Sequence, residues 1–388
     1  MKNYSSSISQ IRIQEINLHN YRNYEGLHLS CSGQPLIFWG ENGSGKTNLL
    51  EALSLLSPGR GLRRANYQDM QRHFCVEEQG GGGDFTSGFS VHVKLASSLY
   101  GSVSIGTGVS VEKESRKVRI NGATSSANGL LEYCRVNWLS PFMDGLFLGA
   151  AGDRRKFLDR LVLSINPEHA RHVSQYEKAL RFRNRLLQEG SSDVDYYVAL
   201  ERQIAQYGVA IASSRVEFVQ LLQSVIDGRS GGAFPSADLQ LSGFIETELF
   251  EKSATDVESD FALFLADKRH LDRAAGRTLV GVHRSDLCVT HREKAMPAAL
   301  CSTGEQKALL TGLILAHTHL TREMSCMTPI LLLDEIAAHL DVKRREALFL
   351  ILGDLGSQAV MTGTDRFLFS ALEGGAEFYE VNNGRICW

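Results

Sequence analysis

The sequence predicts an α/β protein with an antiparallel β meander and a helical insertion between the two halves of one nucleotide-binding head. Three observations predict this architecture. A strand, a glycine-rich loop and a helix follow one another at 36–56, and strand-like alternation continues at 89–111. A helix-permissive stretch occupies about 154–273, after which strand patterns return at Leu279-Val280, at Leu287-Cys288-Val289 and at 330–333.

Length and composition support more than one folded unit. Because 388 residues exceed one compact core, we expect a first head segment at 1–150, a helical arm domain at 151–276 and a second head segment at 277–388. A hydrophobic content of 43% excludes a disordered or fibrous chain. The 41 basic and 44 acidic side chains give no overall positive field, so any contact with nucleic acid must be local.

The chain carries no sequence signal for export or for membrane insertion. Its seven cysteines show no C-x-x-C pair and no zinc-ligand spacing, which indicates reduced thiols. The polar, serine-rich start has no apolar core of a signal peptide, and no run of 18 apolar residues is present. We therefore expect a cytoplasmic protein.

The first head segment is expected to be rich in strands. Ile11 and Ile13 begin a strand pattern, and the apolar run Leu36–Trp39 leads into a helix that ends before Pro58. The glycine-rich stretch 77–88 is predicted to be a surface loop. Within the alternating region beyond it, Asn121-Gly122 is a strong β-hairpin signal.

A phosphate-binding loop is the strongest motif. It fits G-x-x-x-x-G-K-[ST], lies between a strand and a helix, and consists of Gly40, Glu41, Asn42, Gly43, Ser44, Gly45, Lys46 and Thr47, followed by Asn48. Backbone N–H groups of such a loop surround ATP phosphates, Lys46 would contact the terminal phosphates, and Thr47 would bind Mg²⁺. The alternative is a glycine-rich turn that matches by chance.

A second acidic motif ends the apolar run Ile330–Leu333. A buried parallel strand presents its carboxylates at its carboxyl end, where ligands bind in open α/β sheets. Asp334 would hold Mg²⁺, and Glu335 would act as the general base on the attacking water. Two solvated acids after a strand are the alternative, and the phosphate loop argues against it.

The segment Ser302–Gln306 begins a third motif. Ser302 and Glu305 form a capping-box pattern, which explains those two side chains but not Gly304 or Gln306. Together with the other motifs, the segment resembles the signature of the ATP-binding-cassette family. That resemblance implies that Ser302, Gly304 and Gln306 contact ATP held by a second subunit and that Asp341 reaches the partner's site.

The distance from Lys46 to Ser302 selects a branch of that family. It spans 256 residues (302 − 46), far more than in a transporter subunit, and the insertion has no heptads. The chain resembles the RecF family, within the SMC and Rad50 branch, in four segments: Leu18–Tyr24, Asn42–Ala52, Asp153–Asp159 and Gly281–Leu287. Val282, Ser285, Thr303 and Glu305 depart from the usual pattern.

The RecF resemblance implies a function. It implies ATP-driven homodimers with weak, slow, DNA-stimulated hydrolysis, which bind gapped DNA at single-strand/double-strand junctions. It further implies RecR and the recombinase as partners, and roles in recombinational repair, replication and SOS induction. After the last predicted parallel strand, Thr362 or Thr364 would sense the γ-phosphate, or this stretch is a plain turn.

Clustered cations are the candidates for DNA contact. They lie at the start of the arm and at helical spacing within it: Arg154, Arg155, Lys156, Lys178, Arg181 and Arg185. For each of these basic residues, the alternative is an ordinary solvated surface position. Tyr176 and Phe182 are core candidates that could also stack on bases. The remaining alternatives for the whole chain are a transporter's nucleotide-binding subunit, an SMC-like DNA tether and a scaffold that does not hydrolyse ATP.

Overall fold

The computed structural model describes residues 8–72, 88–110, 113–229 and 232–387, and contacts between these residues divide the chain into two compact units. The head unit comprises Met1–Asp144 and Ile314–Trp388, and the arm unit comprises Gly145–Leu313. The predicted loop at 77–88 lies outside the described residues except for Gly88.

The secondary structure follows in chain order. The first elements are β1 (Ile11–Tyr21), β2 (Tyr24–Ser30), β3 (Leu36–Trp39), α1 (Lys46–Ser54), β4 (Phe89–Ser97), β5 (Gly101–Ser110), β6 (Lys113–Ile120), β7 (Ala123–Ser125) and β8 (Val136–Leu139). The next are α2 (Ala151–Leu163), α3 (His169–Glu189), α4 (Val194–Asp227), β9 (Ala237–Ser242), α5 (Phe244–Glu248), α6 (Ala254–Asp267), α7 (Arg269–Ala275), β10 (Asp286–His291) and β11 (Met296–Pro297). The last are α8 (Thr303–Ser325), β12 (Ile330–Leu333), α9 (Val342–Leu355), β13 (Ala359–Gly363), β14 (Glu377–Asn382) and β15 (Arg385–Cys387).

The predicted meander is an antiparallel sheet with the order β2-β1-β4-β5-β6-β7. Its β6–β7 hairpin turns at Asn121-Gly122, because Ile120 pairs with Ala123. Both turn residues have positive φ, 49° and 83°, which is the conformation of a type I′ turn. The hairpin prediction is confirmed.

A second sheet positions the phosphate loop. Its order is β15-β14-β3-β13-β12-β8, and all neighbours except β14 and β15 are parallel. The carboxyl ends of β3, β12, β13 and β8 therefore share one edge. The predictions did not include β8 or β14. Strand β8 is short and contains a polar Asn137, whose Nδ2 donates to Thr318 Oγ1 at 3.3 Å within the core.

The arm unit is mainly helical, as predicted, with its core between α3, α4 and α6 at Ile204, Phe261 and neighbouring apolar side chains. It also contains a small antiparallel sheet, β11-β10-β9, whose middle strand β10 is the strand predicted at Leu287-Cys288-Val289, whereas β9 and β11 were not predicted. The predicted strand at Leu279-Val280 is wrong, because Leu279 N donates to Asp272 Oδ1 at 3.0 Å instead of to a strand partner.

Helix α4 is, within the described part of the chain, the one helix whose length and apolar content reach those of a membrane span. Its side chains Leu200, Ile204, Ala205 and Ala212 belong to the core of the arm unit. The apolar content of α4 is thus accounted for by packing among the helices of the arm.

Candidate nucleotide-binding site

The phosphate loop turns around three glycines with positive φ, and at two of them a Cβ atom would also collide with a neighbour. Gly40, Gly43 and Gly45 have φ of 145°, 82° and 118°. A Cβ atom at Gly40 would lie 2.4 Å from the carbonyl oxygen of Val381, and one at Gly45 would lie 2.4 Å from Nδ2 of Asn23. The loop is therefore fixed by close backbone packing, and α1 begins directly after it at Lys46.

A buried hydroxyl in this loop has no partner among the described residues. Ser44 is 5% exposed, and its Oγ forms no hydrogen bond. Buried polar groups are normally paired, and a hydroxyl inside a loop at a helix N-terminus is well suited to a phosphate oxygen. The residues present thus fit a bound nucleotide phosphate.

Lys46 is almost completely covered by the loop that precedes it. Its Nζ donates to the carbonyl oxygens of Gly40 and Glu41, each at 2.7 Å. Burial lowers the pKa of Lys46, and the nearby carboxylates of Glu335 and Asp334 oppose that effect. The sequence-predicted lysine and both predicted acids are therefore electrostatically coupled in the folded head unit.

Asp334 joins the two motifs across 287 residues of sequence. Its Oδ1 accepts hydrogen bonds from Thr47 Oγ1 at 2.9 Å and from Thr362 Oγ1 at 2.7 Å. Burial raises the pKa of Asp334, and these two hydroxyl donors partly offset the rise. A carboxylate oxygen beside the Thr47 hydroxyl offers the hard oxygen ligands that Mg²⁺ requires.

Glu335 is held in a left-handed backbone conformation, with a φ of 52°. Its backbone N–H donates to Thr362 Oγ1 at 2.9 Å, and the same hydroxyl donates to Asp334. Non-glycine residues in this conformation are uncommon and occur often at functional sites. Thr362 thus orients both acidic residues, and it is fully buried.

The other candidates near this sheet edge are more exposed. Thr364 follows β13 and is exposed, so of the two threonines it is Thr362 that contacts the acidic motif. Asp341 is the N-cap of α9, with its Oδ1 accepting the backbone N–H of Arg344 at 2.9 Å. Its cap position leaves the carboxylate at the surface.

Sequence reasoning assigned no role to a layer of side chains behind the loop. Arg22 makes a bidentate ion pair with Glu51, with Nε and Nη2 each 2.8 Å from a carboxylate oxygen. Glu51 is completely buried in α1. The pair ties the helix after the loop to the turn between β1 and β2. Both residues lie in segments that carry the RecF resemblance, which was the available signal.

A neighbouring chain of amides supports the loop itself. Asn48 Nδ2 donates to Asn23 Oδ1 at 2.8 Å, and Asn23 Nδ2 donates to the carbonyl of Ser44 at 3.0 Å. Arg63 Nη1 donates to Asn48 Oδ1 at 2.7 Å. Asn48 therefore acts behind the phosphate loop, through Asn23, in this structure.

The signature segment lies in the arm unit and forms the predicted capping box. Ser302 N and Oγ each donate to Glu305 Oε2 at 2.9 Å. Lys294 Nζ bonds to the other carboxylate oxygen, and this contact is the main reason that the pKa of Glu305 falls to about 2. Glu305, which departs from the usual signature pattern, thus has a counterion nearby in Lys294.

The rest of the signature separates into an exposed and a buried part. Ser302 and Gly304 are exposed, and a Cβ atom at Gly304 would meet nothing within 4 Å. Gln306 is 3% exposed, and its Nε2 donates to the carbonyl of Cys301 at 2.9 Å. Its Oε1 is buried without a partner among the described residues.

The predicted DNA-contacting cations of the arm fall into two groups. Arg154 makes a bidentate ion pair with Asp286, at 2.8 and 2.7 Å, and Arg155 donates to the carbonyl of Ser285 at 2.6 Å. These two side chains are used inside the arm unit. The exposed group contains Lys156, Lys178, Arg181 and Arg185.

The aromatic candidates also differ from each other. Tyr176 is 2% exposed and donates its hydroxyl to His283 Nδ1 at 2.7 Å, as a core residue. Phe182 is 42% exposed, so the expectation that it is part of the core is wrong. It lies between the exposed residues Arg181 and Arg185 in α3, on the helix surface.

Comparison with known proteins covers almost the whole chain. The model of the RecF/RecN/SMC N-terminal domain matches residues 12–386. The DNA replication and repair protein RecF of Mesorhizobium japonicum is 56% identical over 97% of this chain and 98% of its own length. That of Brucella suis biovar 1 is 53% identical over 97% and 96%.

Solved structures share the fold at lower identity. A structure of the recombination mediator protein RecF with ATP, in the RecFOR pathway, is 22% identical with a TM-score of 0.82, and the match covers 100% of this chain and 99% of the other. An Smc head domain from Pyrococcus furiosus is 14% identical with a TM-score of 0.51, over 97% and 95%. The head fold is therefore shared with both groups.

Proposed function

Because the chain belongs to the RecF family of DNA replication and repair proteins, we propose that it is an ATP-dependent DNA-binding protein of recombinational repair. Membership also makes it an ATP-binding-cassette ATPase of the SMC-like branch. High identity over nearly the full length supports a RecF-type role over that of a transporter subunit or an SMC-like tether.

One observation carries the assignment of ATP and Mg²⁺ to this site. The Asp334 carboxylate accepts a hydrogen bond from Thr47 of the phosphate loop, and this contact between the two motifs supports a nucleotide site here. Ser44, Lys46 and the backbone N–H groups of the loop would hold the phosphates. Thr47 and Asp334 would hold Mg²⁺, which supplies charge neutralisation at the phosphates when bound.

Glu335 is the residue that we assign to proton transfer. Its carboxylate would accept a proton from the water that attacks the γ-phosphate, while Thr362 fixes its backbone. Replacing Glu335 with Gln should reduce hydrolysis by about 10²–10⁴-fold and leave ATP binding intact. Steady-state phosphate release measures the first effect and equilibrium dialysis the second. Hydrolysis at the wild-type rate would move the general base elsewhere.

Two copies would pair around ATP. The exposed Ser302 and Gly304 would face the triphosphate held by a second copy, and Asp341 would reach across to that copy. Thr364 would lie near the γ-phosphate, and the buried Gln306 would support the signature from inside its own chain. Slow, DNA-stimulated hydrolysis would then separate the copies. The alternative is a scaffold that keeps only the fold and does not hydrolyse ATP, whose degenerate site would give no change in mass with ATP.

Pairing can be tested with two variants that lose the same type of helix cap. Ser302→Arg removes the signature cap, and Ser253→Arg removes the cap of α6, where Ser253 accepts the N–H of Asp256 at 3.3 Å. Light scattering should show an ATP-dependent dimer for the wild type and Ser253→Arg, and a monomer for Ser302→Arg. An ATP-dependent dimer of Ser302→Arg would remove the signature from pairing.

DNA recognition would occur at gaps, where single and double strands meet, with help from the exposed Lys156, Lys178, Arg181 and Arg185. Such binding in the cytoplasm, at the nucleoid, would assist recombinase loading together with RecR and would contribute to SOS induction. The test compares gapped with intact duplex, with and without ATP, across a salt series. Tighter binding to gapped DNA only with ATP supports the proposal, and equal affinities contradict it.

A further inference from the structure

The outer face of the meander sheet in the head unit contains a groove that the proposed nucleotide site does not use. Its volume is about 530 Å³. Strands β1, β4, β5 and β6 contribute its lining, which includes His19, His92, Gly106, Lys117 and Arg119. None of the described residues that line it is an aspartate or a glutamate.

Strand β5 forms the floor of the groove with very small residues. Its core-facing positions include Val103 and Ile105, whereas Gly106 and Gly108 lie on the opposite, outer face. Gly108 is required sterically, because a Cβ atom there would lie 2.2 Å from the carbonyl oxygen of Phe89. The backbone does not require glycine at 106, where a Cβ atom would meet only His92 Cδ2, at 3.9 Å.

Glycine in a strand interior has a cost in conformational entropy and packing, and it often marks a place where a ligand approaches the backbone. At Gly106 a side chain would fit in space but would occupy the groove. The absence of a side chain at this position therefore keeps the floor open.

His92 stands on one side of this floor, and Lys117 and Arg119 stand on the other. The strand register places His92, Gly106 and Arg119 in one row, and Ser90, Gly108 and Lys117 in the next. Since adjacent strands lie about 4.8 Å apart, the two walls are about 10 Å apart. The His92 ring is fixed by its Nε2, 2.8 Å from Ser104 Oγ.

Lys117 and Arg119 form no ion pair with the described residues of the head unit. Among the described residues, Lys117 Nζ donates to Ser110 Oγ alone, at 3.3 Å. Glu15 lies on β1 outside the groove, directly opposite Lys94. The groove therefore presents positive charge to a ligand that enters it.

We propose that this groove binds one phosphodiester strand of DNA, an inference that rests on the proposed DNA-binding function. Two cations along one wall of a narrow, small-residue floor, with an imidazole on the other wall, match a chain of phosphates. A protein partner is disfavoured, because protein interfaces centre on large apolar or aromatic anchors, and the outer positions of β5 are glycine and serine.

The experiment compares three variants for DNA affinity across a salt series. Lys117→Ala/Arg119→Ala removes the cations, Gly106→Thr fills the floor, and Ser102→Thr is the control on the outer face of β5, outside the groove. The double variant should reduce the slope of log K against log salt by about 1.8 for duplex or about 1.4 for single-stranded DNA. Gly106→Thr should weaken binding about tenfold without lowering thermal stability.

The outcomes distinguish the groove from the DNA-binding function on which it rests. Unchanged affinity and slope in both groove variants, with DNA bound by the wild type, would overturn the groove but leave the DNA-binding function. A wild type that binds no DNA would overturn both. Poly-glutamate that binds the wild type as tightly as DNA does would overturn the assignment to a phosphodiester strand.

Discussion

Charged side chains are buried in the arm and at the proposed nucleotide site of the head, and the protein neutralises them to different degrees. In the arm, Arg183 is completely buried and donates to Glu201, Asp272, Thr278 and the carbonyl of Leu265, at 2.6–3.1 Å. In the head, burial lowers the pKa of Lys46 and raises that of Asp334. A buried charge that the protein pairs with its own side chains indicates a structural role. A buried group whose charged form is disfavoured, as its shifted pKa shows, indicates a ligand site.

A second arginine of the arm follows the same rule. Arg215 binds both carboxylate oxygens of Asp159, at 2.8 and 2.9 Å, and donates to the carbonyl of Val282 at 2.9 Å. Glu246 accepts the hydroxyl of Ser285 at 2.6 Å. Val282 and Ser285, two of the four positions that depart from the RecF pattern, thus contribute hydrogen bonds within the arm.

The largest effect is expected from removing a neutralised ion. Arg183→Ala should lower the free energy of unfolding by about 3–5 kcal/mol, because it leaves Glu201 and Asp272 buried with less compensation. Arg181→Ala is the control: its side chain is 73% exposed, and its pair with Glu177 should contribute about 0–1 kcal/mol. Urea denaturation followed by circular dichroism measures both. Equal losses would break the contrast between the units.

Lys46→Ala tests the opposite behaviour in the head. ATP affinity should fall by about 10- to 150-fold, the equivalent of about 1.5–3 kcal/mol for hydrogen bonds to charged groups. The free energy of unfolding should change little, since burial already disfavours the charged lysine. Lys94→Ala, at an exposed position of β4, is the control. Unchanged ATP binding in equilibrium dialysis would refute the loop assignment.

The motif residues of the head could be predicted from sequence because their chemistry is local. Glycine spacing, a preceding apolar strand and a following helix together indicate a phosphate loop, and two acids after an apolar run indicate its partner. The Arg22–Glu51 pair joins residues 29 positions apart, and no local pattern links them. Sequence spacing thus predicted the loop, whereas the ion pair behind the loop could be identified only from the folded structure.

In the arm, helical spacing indicated which basic residues share an exposed face, whereas the presence of a single basic residue did not indicate whether its side chain is free to contact DNA. Arg181 and Arg185, at a spacing of four, are both exposed, whereas Arg183 lies between them on the other side of α3 and is buried. Arg154 was a candidate for DNA contact, but its partner Asp286 is 132 residues away. Ion pairs over such distances depend on tertiary structure, so a cluster of basic residues cannot be sorted from sequence alone.

The smallest effect is expected at Asp334, a buried carboxylate of the head. Asp334→Asn keeps an oxygen that can accept from Thr47 and Thr362 but removes a charge whose burial raises its pKa. An acid with a raised pKa stabilises the fold only while protonated, and this contribution is lost as pH rises through the folded-state pKa. At pH 7 the variant should therefore melt higher than the wild type, by about 2–4 °C for about 1 kcal/mol.

The difference in melting temperature should vanish as pH falls below about 3.9, the ordinary pKa of aspartate, because both proteins are then uncharged at this position. Differential scanning calorimetry between pH 3 and pH 7 measures it. Arg183→Ala, in contrast, should lower the melting temperature at neutral pH. An Asp334→Asn variant that is less stable at pH 7 would show that the head neutralises this carboxylate as completely as the arm neutralises its arginines.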